Sequence, residues 1–235
     1  MWLFGRGLSI GCGLTWDTPA ARLELERGER ISRIRETLPA EMDAPRVCTR
    51  SIRLLLEFLA ERTTREWRHL FLTINWDFLL QREVLRFIPG KIKPIWLSDS
   101  QVFHLNGTIE DVPANAVRSP FLLPEDSYAQ RTNSVEANLA CNKVIWETTF
   151  VVMGMSFECE TDRVLLQAIN RVADDPPVRK SKWLIVNPDP GTLTAVAWRI
   201  KEAPPCATVV PICRALDRWR EEGFVELGAL GIFAG

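Results

Sequence analysis

Five short stretches of this sequence carry residues that could do chemistry. The first is Gly5-Arg6-Gly7-Leu8-Ser9-Ile10-Gly11-Cys12-Gly13, directly after the apolar residues 1–4. Glycines at the end of a strand let the backbone come close to a diphosphate and aim amide N–H groups at it. The dinucleotide fingerprint G-x-G-x-x-G is not met, because its third glycine would fall at Ile10. A tight turn without a ligand explains the same residues. The second stretch, Thr73 to Leu80, holds Asn75 and Asp77. Asparagine caps helices well and an acid in a first turn is favoured by the helix dipole, so this pair fits a helix start as well as a polar site. The third is His104-Leu105-Asn106-Gly107. Two residues apart on a strand, His104 and Asn106 would share a face at about 6.5–7 Å; a partly buried structural histidine is the other reading. The last two are Gly154-Met155-Ser156 and Asn187, each after an apolar run.

The elements that must position these residues alternate. Strands are expected at residues 1–4, 69–74, 94–97, 101–105, 148–153, 183–186 and 207–210, from short apolar and β-branched runs. Helices are expected over about 19–38, 47–61, 77–87, 127–146, 162–173, 192–201 and 216–222, with loop over 107–124 apart from a strand near Phe121, and a glycine-rich tail. Such alternation predicts an α/β fold, a parallel sheet with helices on both faces. Ligands of these folds lie at the carboxyl ends of the strands, where Gly5, Asn75, Gly107 and Gly154 all fall.

The chain of 235 residues fits a single domain, 1–235, in which the helical segment at about 19–62 could form a small lobe. A formal net charge of -1 gives no electrostatic footprint for nucleic acid. Apolar runs such as Leu54 to Leu56 are far too short to span a bilayer, and the opening residues have no leader character. A cytoplasmic protein is expected. Cys12, Cys48, Cys141, Cys159, Cys206 and Cys213 form no C-x-x-C pair, so they read as reduced thiols rather than zinc ligands.

The stretches together resemble the sirtuin family. Gly5, Gly7, Ser9, Gly13 and Leu14 keep the register of its G-A-G-x-S-x-x-x-G-I/L-P turn without a gap. Thr73 to Leu80 is similar to its T-Q-N-x-D, and closer to the T-x-N-Y/W-D-x-L-L of divergent bacterial sirtuin-like domains. Leu105-Asn106-Gly107-Thr108-Ile109 resembles L-H-G-S-I/L, Gly154-Met155-Ser156 the G-x-S, and Val186-Asn187 the V-N. Five motifs in the family's order span residues 5 to 187. Arg6 stands where alanine is usual, positioned to contact a phosphate or fill part of the pocket, and Asn106 stands where the catalytic histidine would be.

The resemblance implies a Rossmann-like sirtuin fold with NAD as substrate or ligand. Only Cys141 falls in the interval where zinc-bearing members carry their cysteine pairs, so it implies a fold without the zinc lobe, no zinc or other metal, and little support for protein deacylation. It implies that Asn75 positions the attacking water or the ribose hydroxyls, and that Asp77 and Ser9 bind the nicotinamide carboxamide. Ser156 and Asn187 would hold phosphate and adenosine ribose, with Gly5, Arg6, Gly7, Gly13, Gly107 and Gly154 completing the binding turns. Nicotinamide–ribose cleavage passes through an oxocarbenium-like species, as glycoside cleavage does. An asparagine accepts no proton at neutral pH, so Asn106 argues more against deacylation than against hydrolysis, and His104 is the candidate substitute. Three readings stay open: an NAD hydrolase, as in relatives that degrade NAD in antiviral defence; a module that holds NAD or ADP-ribose without chemistry; and another α/β protein. A homo-oligomer or a regulatory protein partner would fit an effector with no sensor domain.

Overall fold

The computed structural model describes residues 1–15, 25–62, 69–87, 102–109, 121–141, 148–174, 180–201 and 207–229. Six strands, β1 (Trp2–Phe4), β2 (Phe71–Thr73), β3 (Val102–His104), β4 (Thr149–Met153), β5 (Ser181–Val186) and β6 (Ala207–Ile212), form one sheet in the order β3-β2-β1-β4-β5-β6. Every pairing is parallel. Between and after them come α1 (Arg6–Gly11), α2 (Arg27–Met42), α3 (Arg50–Arg62), α4 (Leu79–Phe87), α5 (Tyr128–Cys141), α6 (Glu160–Asp174), α7 (Pro190–Lys201), α8 (Leu216–Glu221) and α9 (Val225–Ala229).

Alternation along each strand divides the core in two. Trp2, Phe4, Phe71, Val151, Met153, Leu184 and Val186 face one layer, where Ile34, Leu38 and Met42 of α2, Ile52, Leu55, Leu56 and Leu59 of α3, and Trp219 of α8 cover them. Leu3, Leu72, Phe150, Val152, Trp183 and Ile185 face the other, under Val135 of α5, Val164 and Leu165 of α6, and Val196 and Ile200 of α7. A parallel sheet buried on both faces needs continuous apolar strands, which is what the runs at β4 and β5 are. The helices from the 19–62 segment thus pack into the same apolar layer as β1 and β2.

Rings reinforce the centre of the sheet. Trp2 stacks on Phe4 and Phe71 at 6.4 Å, and Phe150 on Trp183 at 4.2 Å. His69 closes this cluster by accepting a hydrogen bond from Trp2 Nε1 at 3.1 Å, and burial pushes its pKa down to about 3. It is a neutral core histidine.

Several expectations change in detail. The glycine-rich stretch after β1 is wound into α1 rather than left as a turn. Helix α2 starts at Arg27 and runs beyond Leu38 to Met42 with Pro39 inside it. Having no N–H, Pro39 leaves the ladder one bond short in the last turns of the helix. Residues 121–123 form no strand, and α9 occupies part of what reads as a tail. The strand expected at 94–97 lies outside the described residues, as do residues 16–24, where the first helix was expected to begin, and the end of the helix expected to reach Trp146. Among the described residues, no helix is long and apolar enough to cross a membrane.

Candidate functional site

Because all six strands run parallel, their carboxyl ends share one edge of the sheet. The strand order reverses between β1 and β4, and in sheets of this order the crevice at the reversal is where a dinucleotide binds. Gly5 and Gly7 follow β1 there, and Gly154 follows β4. The two turns meet backbone to backbone: Gly5 N donates to Met153 O and Gly7 N to Gly154 O, both at 2.9 Å. A Cβ on Gly7 would lie 2.7 Å from Gly154 Cα. The glycines therefore permit this contact, and the Gly7 amide is already spent on it. Leu8 N is also engaged, on Gly5 O at 3.1 Å. Arg6, Gly7, Ile10 and Gly11 form the exposed side of α1.

Beneath α1 the polar residues join. Ser9 Oγ donates to Asp77 Oδ2 at 2.7 Å, and Asn75 Nδ2 donates to Ser9 Oγ at 2.8 Å and to Gly5 O at 3.1 Å. All three side chains are buried, Ser9 at 1% exposure and Asn75 and Asp77 at 3%. Gly5 O can only accept, which fixes the orientation of the Asn75 amide: nitrogen toward Gly5 and Ser9, oxygen away. Asn75 Oδ1 then has no partner, an uncommon state for a buried acceptor. Burial raises the Asp77 carboxyl above its ordinary range, against the bonds from Ser9 and the Leu79 amide. The helix cap goes to Asp77, whose Oδ1 accepts from Leu79 N at 3.1 Å; of the two readings of Asn75, cap or polar-site residue, its side chain takes the second and turns to the glycine turn.

The end of β3 braces the same loop. His104 Nδ1 lies 2.9 Å from Asn75 O. A carbonyl only accepts, so Nδ1 carries the proton and Nε2 is a bare acceptor, also buried without a partner. Burial lowers the His104 pKa to about 4, and the ring packs 5.4 Å from Phe78. Asn106 donates from Nδ2 to Ile74 O at 2.9 Å and accepts at Oδ1 from Thr161 at 2.8 Å. Gly107, at φ 74, turns the chain after it. Trp76 sits alongside, stacked on Phe121 at 5.1 Å, with its indole N–H on Leu122 O at 3.1 Å.

The remaining expected residues lie further out. Ser156 is half-buried; its hydroxyl receives the Glu158 amide at 3.4 Å and its carbonyl is held by Arg199. Asn187, at the end of β5 on the same sheet edge, is half-buried and accepts from Asp189 N at 2.9 Å. Gly13, at φ 90, packs against the Arg46 carbonyl. Thus Ser9, Asn75, Asp77 and His104 come together by direct bonds and Asn106 is tied to the same turn through the Ile74 carbonyl, whereas, among the described residues, Ser156, Asn187 and Gly13 make no bond to this cluster. Thr161 and Arg131 belong to the network and carry no motif. Among the described residues, no group of three or more His, Cys, Asp or Glu side chains could hold a metal ion.

Next to Thr161, Asp162 accepts from the Cys159 thiol and the Phe157 backbone, while its Oδ1 is buried and unpartnered. Burial raises its pKa from 3.8 to about 6. The folded chain therefore keeps this proton to a higher pH than the unfolded chain. The stability tied to it is whole below pH 3.8 and lost as pH rises through about 6, at a cost of about 3 kcal/mol by neutrality. His69 and His104, with lowered values, act in the opposite sense, so the effect is read as a difference between variants. Asp162→Asn is expected to melt above the parent protein at neutral pH, with the gap closing in acid. Equal gaps in acid and at neutral pH in thermal melts would contradict this assignment.

Sheet order, the glycine contact at the reversal and the buried polar cluster define a Rossmann-like α/β protein. Compared with known family profiles the chain matches none, and no curated protein sequence matches it.

Proposed function

We propose that this protein binds NAD at the reversal between β1 and β4 and cleaves its nicotinamide–ribose bond. One observation carries the reading: Ser9, Asn75 and Asp77, from two strand ends, form a buried bonded cluster that leaves Asn75 Oδ1 as an unpaired acceptor. A hydroxyl or a water is what such an acceptor lacks. The order of motifs shared with sirtuin-like domains supports the same ligand, and the degradation of NAD in defence is the role that resemblance suggests.

In this reading, Asn75 orients a ribose hydroxyl or the attacking water through Oδ1. Ser9 and Asp77 hold the Asn75 amide from behind and meet the nicotinamide carboxamide. Gly7 and Arg6, on the exposed side of α1, lie nearest the phosphates. Asn106 has both polar atoms engaged, so it offers no proton acceptor, and the chemistry left to the site is hydrolysis rather than removal of an acyl group from a protein.

The same commitment of Asn106, together with a neutral His104, favours one second reading: a module that holds NAD or ADP-ribose without turnover. Incubating the purified protein with NAD and following nicotinamide release separates the two. Release above buffer is the expected result. Calorimetric NAD binding without release would leave the binding module, and absence of both would overturn the ligand.

A further inference from the structure

A one-way chain of hydrogen bonds runs from helix α5 to the candidate site. Arg131 is buried at 4% exposure and Thr161 at 0%. Arg131 Nη1 donates to Thr161 Oγ1 at 2.7 Å, Thr161 Oγ1 donates to Asn106 Oδ1 at 2.8 Å, and Asn106 Nδ2 donates to Ile74 O at 2.9 Å. A guanidinium only donates and a carbonyl only accepts. Ile74 O must face Asn106 Nδ2, which turns Oδ1 to Thr161; the Thr161 proton then has to point to Asn106 while a lone pair of the same oxygen takes the Arg131 proton. Each bond polarises the next in the low-dielectric interior. Ile74 immediately precedes Asn75, so the chain ends on the turn that carries the unpaired acceptor.

The far end is anchored as firmly. Arg131 Nε donates to Asp126 O at 3.2 Å and Nη2 to Pro124 O at 3.0 Å and to Leu123 O. Arg27 clamps the same loop through Asp126 and Phe121 O, and Leu122 N reaches Asn106 O at 2.9 Å. Every described acceptor of Arg131 is a neutral oxygen. The Asp126 carboxylate is near enough to interact with it by charge, and the fixed fork of the guanidinium holds the Thr161 oxygen in place.

We infer that Thr161 and Arg131 are positioning residues: through Asn106 they hold the Ile74–Asn75 turn in the shape that presents the Asn75 amide oxygen to the substrate. This rests on the reading of Asn75 as the group that meets the substrate. Asn106 is accordingly a strut, donating to Ile74 O and accepting from Thr161 on one short side chain.

The test compares Thr161→Val, which keeps shape and loses the hydroxyl, with Thr161→Ser, which keeps the hydroxyl. In nicotinamide release, Thr161→Val is expected to lower kcat by about 10²-fold with KM little changed, and Thr161→Ser to recover most of the parent turnover. In ¹⁵N-labelled protein, the Asn75 side-chain amide resonances are expected to move in Thr161→Val and stay in place in Thr161→Ser. Should Thr161→Val not fold, Thr161→Cys, a weak donor of similar size, is read in the same way. Parent-like kcat in the variant lacking the hydroxyl, or unmoved Asn75 resonances, overturns the inference. If the parent protein releases no nicotinamide, it is the proposed cleavage that fails, and the Asn75 resonances alone decide the positioning role.

Discussion

Asn75→Ala is expected to abolish nicotinamide release while the protein still folds. The side chain bridges two elements: its Nδ2 reaches Gly5 O at the end of β1 and Ser9 Oγ in α1, from a turn that follows β2. Truncation leaves Gly5 O without that donor, but Ser9 keeps its bond to Asp77 and the backbone of residue 75 keeps its bonds to Thr73 and His104. Two buried acceptors lose this donor and each keeps another partner, Gly5 O the Leu8 amide and Ser9 Oγ the Asp77 carboxyl, so the cost is about 1–3 kcal/mol, or a fall in Tm of a few degrees for a chain of this size. Turnover suffers more. The lone acceptor Oδ1 disappears, and a preorganised polar group at the reacting centre is worth about 10²–10³-fold in kcat. Circular dichroism melts and nicotinamide release, measured on one preparation, check both halves. A cooperative melt with parent-level turnover would sink the assignment of Asn75.

How far the sequence foretells this arrangement depends on the range of the interaction. Buried strands are legible because continuous apolar runs such as Phe150 to Met153 serve only an interior covered on both sides. Alternation with helices points to a parallel sheet, but the order β3-β2-β1-β4-β5-β6 is a property of the whole chain and of no local stretch. The glycines at 5, 7 and 154 are legible as sites of close approach; what approaches them is each other, across 147 residues from Gly7 to Gly154. Local winding is less legible. Gly7 and Gly11 disfavour a helix, yet α1 forms, since its buried side, Leu8 and Ser9, is held by the core and by Asp77.

The site divides in the same way. Ser9, Asn75 and Asp77 are visible because turn residues with unusual chemistry stand out beside apolar strands. Asn75 can also be read as a cap, but that bond goes to Asp77, two residues on, whose Oδ1 accepts from Leu79 N. Arg131 and Thr161 give no signal, since an arginine in a polar helix and a threonine after a loop are ordinary. Only their separations of 30 and 55 residues from their partners, closed by folding, make them part of the site.

Gly154→Ala carries the largest expected loss of stability. Gly154 adopts φ 63, where a Cβ costs about 1–3 kcal/mol in a non-glycine residue. That Cβ would also fall 2.7 Å from Gly7 Cα, and closer still to the Leu8 amide nitrogen. Neither neighbour is a flexible side-chain end; both are backbone, tied by the bond from Gly7 N to Gly154 O at 2.9 Å. Overpacking of this kind adds about 1–3 kcal/mol, for a total of about 2–6 kcal/mol and a drop in Tm on the order of 5–20 °C. Gly11→Ala is the matched control. It lies in α1 with nothing near the added methyl group, and alanine there is expected to stabilise by about 0.5–1 kcal/mol. A Gly154→Ala protein that melts with the parent would mean that the turns after β1 and β4 do not meet through their backbones. The crevice at the strand reversal would then need a different floor, and Asn75 a different neighbour. If the two alanine variants shift in opposite directions as expected, the glycines at the reversal are fixed first by the contact between turns, and any ligand is accommodated on top of that contact.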